Sequence, residues 1–199
     1  MTDDIFLFLS KLFSSIYQTL IRLQMGDAIF VQYNDETHRD PFFELNLEYL
    51  SWIDGIITER HGITINPDGS VREYLESVFP KMAAIKPPEG FIYIIEVEGE
   101  ASGMGILRRI EGSVGEIKRM YNRPKIRGKG YGKEMLKRLE DKARELGFSM
   151  LRLDTGDFMD AARHIYRKAG FVEIGKYPGG EWVDRDDTED VAIYMEKEL

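Results

Sequence analysis

The stretch "GEIKRMYNRPKIRGKGYGKEML", residues 115–136, joins two different patterns. Its first part, Gly115 to Tyr121, reads as a β-strand. Its second part, "RGKGYG" from Arg127 to Gly132, alternates three glycines with other residues and runs into Lys133. An amphipathic helix follows, over about Gly130 to Leu146, with Met135, Leu136, Leu139, Ala143 and Leu146 on one face and Gly147 as its stop. The first N–H groups of a helix have no internal partner, and they point outward with the positive pole of the dipole. Glycine lets such amides approach an anion without a Cβ in the way, and Arg127, Lys129 and Lys133 add charge. A solvated helix start accounts for one glycine, not for three set among bases. The segment Arg127–Lys133, with Gly128, Lys129, Gly130, Tyr131 and Gly132 between, therefore reads as a phosphate-binding turn. It is not a Walker loop: Gly128 to Gly132 is one residue short, and Glu134 follows Lys133. Nor is it a Rossmann fingerprint, since the glycines space as GxGxG.

Outward from this turn, the chain alternates strands and helices. Upstream, Phe91–Val97, Gly103–Arg109 and Gly115–Tyr121 are strand-like runs separated by short glycine turns, which predicts an antiparallel three-stranded meander. Downstream come a strand "MLRLDT" (150–155), a helix over about Met159 to Lys168 closed by Gly170, a strand "FVEIGKY" (171–177) and a last strand "VAIYMEKEL" (191–199). Strand–helix–strand order makes the third meander strand and "MLRLDT" parallel. Before the meander, "DAIFVQY" (27–33) reads as a short strand. Residues 41–61 read as a helix with Asp40 as N-cap, Pro41 at its first position and Gly62 as its stop. Val71 to Ala84 reads as another helix. The fold class is α/β, with an α+β-type mixed sheet, in a single domain over 25–199. Residues 1–24 form an appendage: Ile5, Phe6, Phe8, Leu9, Leu12, Phe13, Ile16, Tyr17, Leu20 and Ile21 recur at helical spacing, which suits docking on the domain or a homodimer contact.

Two motifs in this order, "GEIKRMYNRPKIRGKGYGKEML" and then "ARHIYRKAGF" (162–171), resemble the GNAT superfamily of N-acetyltransferases. The family's pyrophosphate loop, Arg/Gln-x-x-Gly-x-Gly/Ala, matches Arg127 to Gly132, and its Leu-Tyr-x-x-x-Gly-Phe signature matches Ile165, Tyr166, Gly170 and Phe171. The resemblance covers about Phe91 to Leu199. The helices between Asp40 and Ala84 correspond to the family's variable substrate side, and the first 24 residues are an extra N-terminal helix. One departure is Met159, which stands where many members have Asn.

The resemblance implies an acyl-CoA N-acyltransferase fold and acetyl-CoA as co-substrate. It implies that backbone groups of Met120 and Asn122, on a strand that splays from the next, hold the pantetheine arm. Arg163, Arg167 and Lys168 become candidates for the 3′-phosphate. Tyr166 falls where members carry the proton donor for the departing thiolate, and Glu116 where some carry a general base. The acceptor would be a primary amine on a small molecule or peptide. The alternative is a non-catalytic acyl-CoA-binding regulatory module.

Composition narrows the rest. The 199 residues carry a net charge of -8, which disfavours a nucleic-acid partner. There is no cysteine, so thiolate catalysis and disulfides are excluded, and the three histidines, His38, His61 and His164, lack metal-ligand spacing; no metal is expected. No segment reads as a membrane span or signal peptide, and a cytoplasmic protein without a membrane partner is expected. The loop at 178–190 is acidic, with Glu181, Asp184, Asp186, Asp187, Glu189 and Asp190, and would suit a cationic amine, polyamine or lysine-bearing peptide.

Overall fold

A computed structural model describes residues 28–180, 182, 188 and 191–199. The helix expected over 5–21 and most of the acidic loop lie outside the described residues. Strand β1 (Ala28–Gln32) leads into helix α1 (Asp35–His61) and helix α2 (Val71–Ala83). The meander β2 (Gly90–Val97), β3 (Glu100–Glu111) and β4 (Val114–Asn122) follows. A 3₁₀ turn (Pro124–Ile126) then leads to helix α3 (Tyr131–Glu145), β5 (Met150–Gly156), helix α4 (Asp160–Lys168), β6 (Val172–Ile174) and β7 (Ala192–Glu198). Among the described residues the strands form one seven-stranded sheet in the order β1-β2-β3-β4-β5-β7-β6. The strands from β1 to β4 are antiparallel, and β4 and β5 are parallel, as their order predicts.

The start of α1 differs from the sequence expectation. Asn34, not Asp40, is its N-cap, with its side chain accepting from the Glu36 N–H, and Pro41 lies inside the helix. Pro41 has no N–H to return to the carbonyl four residues earlier. Burial of Phe42, Leu45 and Leu50 on the sheet, and of Ile53 and Ile57 in a smaller cluster with Ile63 and Val191, holds the helix together across that gap. The left-handed Gly62 ends it as expected. Helix α2 opens with a reciprocal capping box between Ser70 and Glu73. β6 is also shorter than the expected 171–177, because only Val172, Glu173 and Ile174 find partners on β7.

Alternation along the strands divides the interior into two cores. Phe91, Leu107, Ile117 and Leu151 pack beneath α3 and α4, with Met135, Leu139 and Phe171. Ile92, Ile94 and Ile106 pack beneath α1 and α2, with Phe42, Leu45, Leu75 and Phe79.

Two irregularities in β4 make room for a site between these layers. First, β4 pairs with β5 only through Val114↔Met150, Gly115↔Leu151 and Glu116↔Arg152, so the two strands part beyond Glu116. Second, Lys118 faces Ile106 and Tyr121 faces Met104 on β3, which leaves Arg119 and Met120 together opposite Gly105. This β-bulge puts Arg119 in the left-handed region at φ 52°, an uncommon place for a residue other than glycine. It also breaks strict alternation. Ile117 and Met120, three residues apart, share the α3 side, while Arg119 and Tyr121 face α1. Arg123 locks the end of β4 to α1 by a bidentate pair with Glu48, at 2.7–3.1 Å.

Candidate active site

Beyond the point where β4 and β5 part, a groove of about 510 Å³ runs between β4, the glycine turn and α4. Met120, Asn122, Gly128, Gly130, Lys133 and Tyr166 are among its walls. The structure thus brings the two sequence motifs, residues 115–136 and 162–171, to one place.

The turn has the geometry its glycines suggest. Gly128 and Gly130 take left-handed φ values of 77° and 84°, and Gly130 is the N-cap of α3 with no side chain to cap it. The first helical return bond at this end runs from the Glu134 N–H to the Gly130 carbonyl at 3.1 Å. The N–H groups of Tyr131, Gly132 and Lys133 therefore precede the helical ladder. Asn122 reaches across from β4: oriented to satisfy its neighbours, its side chain accepts from the Gly132 N–H at 3.2 Å and donates to the Tyr121 carbonyl at 3.0 Å. This bond ties the end of β4 to the turn.

The remaining turn residues divide between the groove and the fold. Lys133 borders the groove, whereas Lys129 is exposed and is not among its walls. The Tyr131 side chain is buried in the core against Phe30, so only its backbone belongs to the turn. Arg127 donates to the Asn122 carbonyl at 2.9 Å and stacks on Trp52 and Tyr121. Of the three cations considered for a 3′-phosphate, Arg163 bonds the Asp157 carbonyl and Arg167 pairs with Glu173. Lys168 instead borders a neighbouring cavity together with Lys133 and Lys137. His164, which lacks metal-ligand spacing in the sequence, borders the groove.

Tyr166 sits across the groove from the bulge. Its hydroxyl is 4.0 Å from the Met120 sulfur, and its ring packs on Phe171. Burial, and secondarily the charge of Asp154, pushes its hydroxyl well above the ordinary phenol range. Tyr166 is therefore protonated at physiological pH, a donor rather than a base.

Glu116 stands on the other face of the sheet and has no exposed surface. Arg108 Nε donates to it at 2.5 Å, the Tyr177 hydroxyl donates at 3.1 Å, and Lys118 lies 3.8 Å away. Burial, followed by the charge of Glu116, raises the Tyr177 hydroxyl far above its usual value.

A second cavity, of about 240 Å³, opens on this face, with Arg119 and Asp154 in its walls. Sequence reading gave neither residue a role. The signal for Arg119 is masked because the bulge inverts the alternation that would orient it. Tyr177 falls in a segment expected to be strand, and the structure makes it part of the site's support instead. Among the described residues no group of side chains could hold a metal ion, and no helix is long and apolar enough to cross a membrane.

Comparison with known proteins agrees with this geometry. The sequence pattern of the "Acetyltransferase (GNAT) family" matches residues 34–171. An IAA acetyltransferase of Azospirillum brasilense is 31% identical over 135 residues, covering 63% of this chain and 84% of that protein. A Streptococcus agalactiae acetyltransferase of known structure superposes with a TM-score of 0.62 at 19% identity, over 87% of this chain and 99% of its own. A putative streptothricin acetyltransferase of Bacillus anthracis, solved in complex with acetyl coenzyme A, gives a TM-score of 0.51 at 26% identity, over 61% of this chain and 69% of its own.

Proposed function

This chain belongs to the GNAT family of acetyltransferases, and from that premise we propose that it transfers the acetyl group of acetyl-CoA to a primary amine by direct attack. The carrying observation is the junction of three features. The parted β4 edge, the glycine turn at the start of α3 and the Tyr166 hydroxyl all border one groove. Each meets one demand of acyl transfer from a thioester.

In this reading the glycine turn from Arg127 to Lys133 receives the pyrophosphate through its N–H groups other than those of Arg127 and Gly132, which bond Pro124 and Asn122, with Arg127 and Lys133 supplying positive side chains at the groove. Backbone groups of Met120 and Asn122 hold the pantetheine arm along the strand edge left open beyond Glu116. The bulge takes Arg119 and Met120 out of the regular ladder, and the Met120 N–H is the donor assigned to the thioester carbonyl. The amine nitrogen bonds to the carbonyl carbon, the carbon–sulfur bond breaks, and Tyr166 gives its proton to the sulfur. The proton lost by the amine goes to solvent or to a base. Glu116 has no exposed surface, so it can serve as that base only through its bond to Tyr177.

The test is calorimetry with acetyl-CoA, followed by release of free CoA thiol with a panel of amines. Micromolar binding and amine-dependent thiol release are expected. Binding without release for any amine would leave an acyl-CoA-binding module in place of an enzyme.

A further inference from the structure

The cavity on the α1 face has a lining of unusual composition. Tyr49, Leu50, Ile53, Ile65, Phe158 and Trp182 make it largely apolar and aromatic. Among the described residues that line it, two are charged: Arg119 from β4 and Asp154 from β5. They stand on the two strands that part beyond Glu116, one on either side of the opening. Arg119 is the bulge residue immediately before Met120, so the cavity and the cofactor groove meet the same point of β4 from its two faces.

Arg119 is built into place. It is 7% exposed, and its guanidinium donates at 3.1 Å to Asn46 Oδ1. Asn46 is itself fully buried and donates to the Phe42 carbonyl at 2.8 Å. A left-handed backbone at a residue other than glycine is costly, and such strain is characteristic of functional sites. On the opposite side the charge of Asp154 extends to Tyr166, the proposed proton donor.

We propose that this cavity is the acceptor site and that its acceptor is a small zwitterion, an α-amino acid or close analogue with an apolar or aromatic side chain. Its anionic group lies on Arg119, its amine faces Asp154, and its side chain fills the aromatic end. One fixed positive and one fixed negative group match a ligand carrying both charges. A polyamine would meet Arg119 with like charge, which costs several kcal/mol in general. The volume of about 240 Å³ lies below the roughly 300–1,000 Å³ typical for drug-sized ligands, which fits a free amino acid.

This proposal rests on the acetyl-transfer reading, and the experiment separates the two. With the full chain saturated in CoA, binding of L-phenylalanine, L-leucine and L-methionine is compared with that of their amides, phenethylamine, 3-phenylpropionate and spermidine. The amino acids are expected to bind about 10–100-fold more tightly than their amides, the range for losing one hydrogen bond between charged groups. Arg119→Gln should bring that ratio towards one, and Asp154→Asn should reduce the preference for amino acid over 3-phenylpropionate. The wild-type ratio needs no variant, so it stands as a test even where a substitution fails to fold. Amides or spermidine binding as well as the amino acids, or no amino acid binding at all, would overturn the acceptor class. Amine-dependent thiol release with spermidine alone would do the same while leaving acetyl transfer intact. Amino acids bound with the expected preference but never acetylated would count against acetyl transfer and leave the zwitterion pocket standing.

Discussion

On one side of β4 the molecule presents backbone, and on the other it presents side chains. The groove beneath α3 and α4 is bounded by a strand edge, two left-handed glycines and the first amides of a helix. Those groups are the same whatever the sequence, provided glycine stands where the backbone is left-handed. The cavity beneath α1 is bounded by Arg119, Asp154 and a set of aromatics drawn from residues 49 to 182. A surface that must bind the same co-substrate in every relative can be made of backbone. A surface that must choose an acceptor needs side chains, and these can change without disturbing the strand.

The sharpest way to break this division is at Tyr166, the side chain that serves the backbone-lined groove. Tyr166→Phe should lower kcat by about 10²–10⁴-fold, the usual scale for losing a general acid. The ring still packs on Phe171, so the melting temperature and acetyl-CoA affinity should hold. Because the hydroxyl is raised well above the ordinary tyrosine value, it stays protonated up to and beyond about pH 10, and it should add no alkaline limb to the wild-type rate profile below that pH. The sign for stability is the same. Raised tyrosines contribute fully below the unfolded value of about 10 and lose that contribution as pH climbs past it. A kcat unchanged in the Tyr166→Phe enzyme would return the tyrosine to a packing role.

The next effect lies on the side-chain face. Glu116 is either a relay base or the tie that holds Arg108 and Tyr177 in place. Glu116→Gln keeps the shape and removes the charge beneath two cations. We expect a stability loss of about 1.5–3 kcal/mol, the range for hydrogen bonds to charged groups, read by denaturant unfolding. A relay role adds a selective loss of kcat/KM at low pH, where the amine remains protonated without help. A variant with wild-type stability and only the low-pH loss would make Glu116 purely catalytic.

On the backbone side, Gly130→Asp should weaken acetyl-CoA binding by about tenfold or more, since it sets a negative charge beside a phosphate. An added Cβ at Gly130 would meet no atom within 4 Å, so crowding is not the cause to expect. The left-handed φ of 84° adds a strain of about 1–2 kcal/mol to stability, which Gly130→Ala would measure by itself. Equal affinities for the two variants would show that strain, not charge, governs the turn.

The two faces were unequally legible in the sequence. The glycine turn and the Tyr166 helix could be read because each is set by local spacing: Gly128, Gly130 and Gly132 lie within five residues of chain, and Tyr166 and Phe171 within six. The order of the meander and the parallel pairing of β4 with β5 followed from short turns and a helical crossover. Arg119 could not be read, because a bulge shifts its face and nothing local announces a bulge. Asp154 became part of a cavity only when β5 parted from β4. The start of α1 lies six positions before the expected one, with its N-cap at Asn34 and not Asp40, because burial of the residues that follow outweighs proline's preference for a helix's first turn.

The smallest effect expected is also the cleanest test of whether the faces act separately. Ser70 and Glu73 cap α2 reciprocally, with the Ser70 N–H donating to Glu73 at 2.6 Å. Ser70→Ala should cost about 1 kcal/mol of stability, as loss of an N-cap usually does. The first turn of α2 holds Tyr74, which borders the acceptor cavity, while no residue of α2 borders the cofactor groove. Fraying of that turn should therefore raise the acceptor KM by a few fold and leave acetyl-CoA affinity where it was. If acetyl-CoA affinity falls in parallel, the two faces are coupled through β4, and the bulge that carries both Arg119 and Met120 is the element through which they would communicate.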